Sequence, residues 1–181
     1  MVFLSINRGI GAGIVVGGHV FKGNNKRAGT VGHVTMEPQG VRCTCGRRGC
    51  WEIYAASGAL IRNYRRASGK KLKDTQQFHA LLESGDAVAA RVWDEYLEHL
   101  AIGINNIILS LDPHSLIIGG EISGFGARLL EPLRARVFAQ NTFSTRGDIE
   151  IELSGLKEDA SILGVAMLPF HGLLHQGAKF I

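Results

Sequence analysis

Aromatic residues are scarce, at 7% of the chain, and none alternates with arginine along an apparent strand. That removes the stacking platform that holds single-stranded nucleic acid. A strong charge of one sign is lacking too. The formal net charge of +4 is spread over short clusters at Lys26-Arg27, Arg47-Arg48 and the span from Arg62 to Lys73, a field too weak to argue for nucleic-acid binding by these residues. No apolar run reaches the roughly 20 residues of a membrane span. The longest, Leu97 to Leu111, is interrupted by His99, Asn105 and Asn106 and stops at Asp112-Pro113. Met1 to Ile6 is too short for the apolar core of an export signal, and Arg8 with a glycine run follows at once. A cytoplasmic protein with no membrane partner is the expectation. There are only 3 cysteines, and in that compartment they read as thiolate ligands rather than disulfides. Internal repeats and low-complexity segments are missing as well.

What the chain does have is the material for a core. Of its 181 residues, 45% are hydrophobic and 20% charged, the balance of a globular domain or of two small lobes. Val2 to Ile6 and Gly13 to Val16 are short β-branched runs, and Gly17-Gly18 before His19-Val-Phe21 is a two-residue hairpin signal. From Trp51 the pattern turns helical: Glu52 to Leu60, then a second piece through Arg66 that stops at Ser68-Gly69. Asp74 is the N-cap of a helix to Leu82, and Asp86 starts the longest helix. There Trp93, Leu97, Leu100, Ile104, Ile107, Ile108 and Leu111 recur at three- and four-residue steps, as core packing requires. Ser115 to Ile118 reads as a fully buried strand that runs into Gly119-Gly120 and a helix from Gly126 to Phe138. A strand from Ile149 to Leu153 and a helix from Asp159 to Leu168 follow. This order is the grammar of an α/β fold.

The densest chemistry is Cys43-Thr-Cys45-Gly-Arg-Arg-Gly-Cys50, with His33 ten residues upstream of the first cysteine. Three sulfurs and one imidazole complete a tetrahedral zinc shell and leave no position for water, so the expected ion is structural. Gly46 and Gly49 let the backbone wrap it. Glu52, two residues past the last cysteine, would be fixed by that ion and could accept hydrogen bonds from two adjacent sugar hydroxyls. It could equally serve only as a favourable charge at a helix N-terminus. Gly9-Ile-Gly11-Ala-Gly13 looks like a dinucleotide-binding loop, but it leads into a hairpin rather than a helix, which rejects that reading. What remains is either phosphate contact through backbone N–H groups or close packing of strands. His171 and His175 read as surface residues.

Together these residues resemble the ROK family, which joins bacterial repressors, uncharacterised reading frames and sugar kinases. The resemblance rests on Gly9 to Val16, on Gly29-Thr-Val-Gly32-His33, on Cys43-x-Cys45-x4-Cys50-x-Glu52, on Ile117-Ile-Gly-Gly-Glu121, and on Leu156 to Val165 with Ile162-Leu163-Gly164. It implies the second half of an actin-like ATPase (ribonuclease H-like) fold with a zinc-stabilised loop. It also implies a sugar pocket to which His33, Glu52 and Thr30 contribute, and a phosphate or nucleotide loop of which Gly9, Gly11, Gly13, Gly119 and Gly120 are remnants. Two positions depart from the family kinases. Asn7-Arg8-Gly9 stands where they carry a Gly-Thr-Gly phosphate turn, and Thr30 where they carry a sugar-binding glutamate. A hydroxyl cannot make the bidentate contact of a carboxylate.

The family's base aspartate belongs to a first lobe ahead of the glycine turn, whereas every aspartate here (Asp74, Asp86, Asp94, Asp112, Asp148, Asp159) follows the zinc block. No catalytic residue is therefore expected in this chain. Residues 1–181 are expected to form the sugar-effector-binding and self-associating region of a ROK transcription regulator. It would sense a sugar or sugar phosphate, work as a homodimer, and reach DNA only through a winged-helix domain outside these residues. The apolar side chains of the long helix and of Met167 to Leu174 would supply part of the dimer interface or of the core. The competing expectation is a piece of an ATP-dependent sugar kinase of glucokinase or N-acetylhexosamine kinase type, using ATP and Mg2+. A third, from another class, is a zinc-stabilised interaction module that binds no small molecule.

Overall fold

The computed structural model describes residues 1–140, 143, 147–156, 159–160 and 162–167. Five strands form one mixed sheet: β1 (Val2–Ile6), β2 (Ile10–Val16), β3 (His19–Val20), β4 (Ser115–Gly119) and β5 (Glu150–Leu153), in the order β3-β2-β1-β4-β5. β1 and β2 run antiparallel with Val2 opposite Ile14 and Ile6 opposite Ile10, while β4 lies parallel to β1 and β5 parallel to β4. The β2–β3 turn at Gly17-Gly18 has φ of 56° and 79°, the left-handed pair that a tight hairpin demands. β2 starts at Ile10, not Gly13. Gly11 and Gly13 are therefore strand residues opposite Ser5 and Phe3, and only Gly9 of that run lies in the turn.

Side chains alternate across the sheet. Val2, Leu4 and Ile6 of β1, Leu116 and Ile118 of β4 and Ile151 of β5 are buried on the face that carries the helices. Ser115 and Ile117 point to the other face and are only half-buried, so β4 is not the fully buried strand its composition suggests.

Five helices follow the same local rules: α1 (Glu52–Ala55), α2 (Ser57–Ser68), α3 (Thr75–Glu83), α4 (Ala87–Leu111) and α5 (Ala127–Gln140). Asp74 and Asp86 cap α3 and α4, each accepting a 2.8 Å hydrogen bond, from the backbone N–H of Gln77 and Ala89 respectively. Gly69 closes α2 in the left-handed conformation. Trp93, Leu97, Leu100, Ile104, Ile107 and Ile108 on α4 are buried, each worth about 1.5–3 kcal/mol, and Leu111 emerges at the end of the stripe.

The expected break near Leu60 falls instead at Ala56, whose extended backbone (ψ 159°) separates α1 from α2. The reason is tertiary: the N–H of Ser57 donates to the carbonyl of Asn7 at 2.8 Å, seating the start of α2 on the β1–β2 turn. Residues 162–167 are helical, and Ile162, Leu163, Val165 and Met167 are exposed. Leu168 to Leu174, His171 and His175 lie outside the described residues. No helix among the described residues is long and apolar enough to cross a membrane.

Candidate metal centre and adjoining cleft

His33 ends a 3-10 turn, Val31–His33, that is pressed against β2. The N–H of Ala12 donates to the carbonyl of Gly29 at 2.8 Å. A Cβ at Gly29 would stand 1.8 Å from the Ala12 carbonyl oxygen, and one at Gly32 2.3 Å from that of Ile10. The two glycines preceding His33 are thus a condition of its placement. The cysteines sit on a tight knuckle: the N–H of Cys43 donates to the carbonyl of Arg47 at 2.8 Å, and Thr35 pairs with Cys50 and Arg42 with Arg48 in isolated antiparallel bridges. Gly46 and Gly49 both have positive φ.

The ligand atoms of His33, Cys43, Cys45 and Cys50 all lie within 4.8 Å of one another. The Cys45 and Cys50 sulfurs are 3.6 Å apart, and Cys43 Sγ is 3.7 Å from His33 Nδ1. A tetrahedral ion with metal–sulfur bonds of about 2.3 Å and a metal–nitrogen bond of about 2.0 Å would set edges of about 3.8 and 3.5 Å. The cluster can therefore hold a metal ion as it stands. Burial pushes the Cys50 thiol up to about 12 and raises that of Cys43, while the Arg47 backbone N–H lowers that of Cys45. Buried thiolates of this kind are stable only opposite a cation.

Glu52 belongs to α1, which has only four residues, and its half-buried carboxylate turns into the cluster. Oε1 is 3.2 Å from His33 Nδ1 and accepts from Cys43 Sγ at 3.1 Å. Oε2 lies over Gly9, 3.2 Å from where a Cβ would be. The carboxylate thus joins the cluster to the β1–β2 turn. Thr30 does not join it through its hydroxyl, which donates to the Arg27 carbonyl at 2.7 Å.

Beyond the turn lies a cavity of about 370 Å³ at the carboxyl ends of the parallel strands β1 and β4, where open α/β sheets bind their ligands. Arg8, Arg65 and Lys73 line it, together with Ser57 and Thr75 from the starts of α2 and α3 and Glu121 just after β4. Its frame is a network reaching far across the chain. Asn7 Oδ1 accepts from the N–H of Glu121 at 2.8 Å, and the Ser57 hydroxyl donates to Glu121 Oε2 at 2.7 Å. Gly119 pairs with Ser5, and a Cβ at Gly120 would meet the Ile6 carbonyl oxygen at 2.5 Å. Sequence reasoning missed the Asn7 and Ser57 side chains. The available signal was a polar residue at each of two chain reversals.

A sheet ordered 3-2-1-4-5 with its first two connections antiparallel and its last two strands parallel is the half-unit of an actin-like ATPase, here carrying between β3 and α1 a His/Cys knuckle that could hold a metal ion. The chain belongs to the ROK family, whose model matches residues 1–171. Glucokinase of Thermotoga maritima is 33% identical to it, over 93% of this chain and 57% of its own length. The xylose repressor of Bacillus subtilis is 29% identical, over 93% of this chain and 43% of its own. The ROK hexokinase of Thermus thermophilus superposes with a TM-score of 0.75 at 30% identity, covering 92% of this chain and 55% of that one. The chain spans about half the length of the curated relatives it matches.

Proposed function

We propose that this chain is the sugar-effector-binding and self-associating portion of a ROK transcription regulator, built around one structural zinc ion. The observation that carries the sugar reading is the Glu52 carboxylate, which lies beside His33 and Cys43 of the cluster and against the β1–β2 turn at Gly9. Four protein ligands close the metal shell, which suits a structural ion rather than a hydrolytic one. Arg8 in the turn and Thr30 in place of a carboxylate support a sensor over a phosphoryl-transfer enzyme. Asp74 is occupied in capping α3 and Glu121 in holding Ser57, so neither is a free base. On this reading a sugar or sugar phosphate binds one arrangement of two lobes better than the other and shifts their population. DNA is reached through a domain outside these residues, the working form is a homodimer, and the setting is the cytoplasm.

The test is calorimetric titration of the full-length protein with glucose, xylose and N-acetylglucosamine, with operator release followed in parallel. Saturable binding of a sugar that frees DNA is the expected result. A kinase reading is favoured by one observation, the 33% identity to a glucokinase, and would require ATP and Mg2+. ATP-dependent phosphorylation of any of these sugars by the full-length protein would establish it and overturn the regulator.

A further inference from the structure

A second cavity, of about 540 Å³, is lined mainly by residues of α1, α2 and α4. We infer that it is a binding site for a small phosphorylated molecule carrying two or more negative charges. Three arginines line it, Arg62 and Arg66, one turn apart on α2, and Arg91 on α4, all exposed, with Glu95 the only acid in its lining. Like charges at a four-residue spacing repel on a helix, so this arrangement costs stability unless something anionic offsets it. Among the described residues no carboxylate forms an ion pair with any of the three. Elsewhere on the same helices and on α5 the pattern is the opposite, with Arg134 paired to Glu131 and Arg136 to both Asp94 and Glu98.

The site is also preorganised. Arg62 donates to the Ile53 carbonyl, which fixes its fork while the side chain stays exposed to an incoming anion. Tyr54 forms a wall, held by a 3.1 Å hydrogen bond from the Val41 N–H to its oxygen and stacked on His99 with ring centroids 5.3 Å apart. Its hydroxyl proton and the Asn63 amide remain to donate to a ligand. Rigid planar guanidinium forks match phosphate oxygens two at a time. The volume falls in the range of about 300–1,000 Å³ that small-molecule sites occupy. Arg62 lines this cavity and the sugar cleft alike, whereas Arg66 and Arg91 line only this one and Arg8 and Lys73 only the cleft.

That separation defines the experiment. The zinc-loaded chain carrying Arg8→Ala and Lys73→Ala, which disarms the cleft, is titrated calorimetrically with inorganic pyrophosphate at constant ionic strength. Citrate serves as a phosphate-free anion. Saturable one-to-one binding of pyrophosphate is expected, weakened about tenfold when Arg66→Ala or Arg91→Ala is added, as for loss of one charge-assisted contact. Sugar affinity of the Arg91→Ala single variant should match the parent, which separates this site from the sugar reading. Absence of binding at matched ionic strength, or binding indifferent to Arg66 and Arg91, overturns the site. Citrate binding as tightly as pyrophosphate overturns its assignment to phosphate.

Discussion

Replacing Cys45 by Ser tests the metal centre with little collateral damage, because Cys45 is exposed while Cys43 and Cys50 are buried. The substitution exchanges one atom and removes a thiolate from the shell. The size of the effect follows from the chain the ion closes. Apart from the 3-10 turn and two isolated bridges, residues 33–50 have no regular secondary structure, so the ion acts as a cross-link between His33 and Cys50. Cross-linking a loop of this length restricts the unfolded chain by about 3 kcal/mol.

The loss should be felt beyond the loop. Trp51 follows Cys50 directly, is fully buried, and donates from Nε1 to the His99 carbonyl at 2.9 Å, which ties the knuckle to α4. For a chain of this size about 3 kcal/mol corresponds to a fall in Tm of roughly 6–12 °C. Elemental analysis should find one zinc per wild-type chain and little in Cys45→Ser, and calorimetry should record the fall. Chelation of the wild type should reproduce the variant's Tm and leave the variant unchanged. A full zinc complement in Cys45→Ser would refute the ligand assignment, and zinc loss without a change in Tm would refute the cross-link argument.

Glu52→Gln should keep zinc and fold while weakening sugar binding by about tenfold or more, as for a lost charge-assisted contact; equal affinity by titration would return Glu52 to a purely structural role. Gly103→Ala would put a Cβ 1.9 Å from the buried Trp51 ring, and such overpacking should cost about 1–3 kcal/mol or more. A Tm equal to wild type would show that Trp51 can move. Asp86 is held below the usual carboxylate range first by the Ala89 N–H, then by the Tyr64 hydroxyl and Lys70. A depressed folded pKa adds stability above the unfolded pKa that is lost as pH falls through the folded one. The Tm gap between wild type and Asp86→Asn should therefore close on acidification, and a gap constant with pH would defeat this. Arg8→Ala should weaken a sugar phosphate while leaving the neutral sugar unaffected; equal losses for both ligands in parallel titrations would show that Arg8 only supports the turn.

Much of this was written locally in the sequence. The α4 stripe, the caps at Asp74 and Asp86, the Gly17-Gly18 hairpin and the His/Cys set each depend on residues close together in the chain, so spacing reveals them. The break at Ala56 was not legible, because its cause is Asn7, far upstream, capturing the Ser57 N–H. The same holds for the bonds from Asn7 and Ser57 to Glu121, which have no periodicity to betray them. Strand β2 was read too short because glycines at Gly11 and Gly13 look like a turn. Pairing with β1 holds them extended, and nothing in their own preference does. The direction of the Glu52 carboxylate also needed the fold. Sequence placed it near the metal cluster and near a helix start, and only the seating of α1 beside the β1–β2 turn decides which it faces.

That direction gives the region on either side of Gly9 two chemically different ends. With a divalent ion bound, three thiolates would leave the metal shell one charge negative, which Arg42, Arg47 and Arg48 of the same knuckle offset. On the proposed reading the Glu52 carboxylate would accept hydrogen bonds from the sugar ring. On the other side of Gly9, Arg8, Arg62, Arg65 and Lys73 outnumber Asp74 and Glu121 in the lining of the far end, which favours anions. A neutral sugar would use only the first end. A sugar phosphate would use both, and the two are separated by the single turn residue on which Glu52 rests. On that reading the metal would serve recognition indirectly, by fixing the knuckle against which the hydroxyl-reading carboxylate lies, and the turn beside it would hold the guanidinium that reads a phosphate.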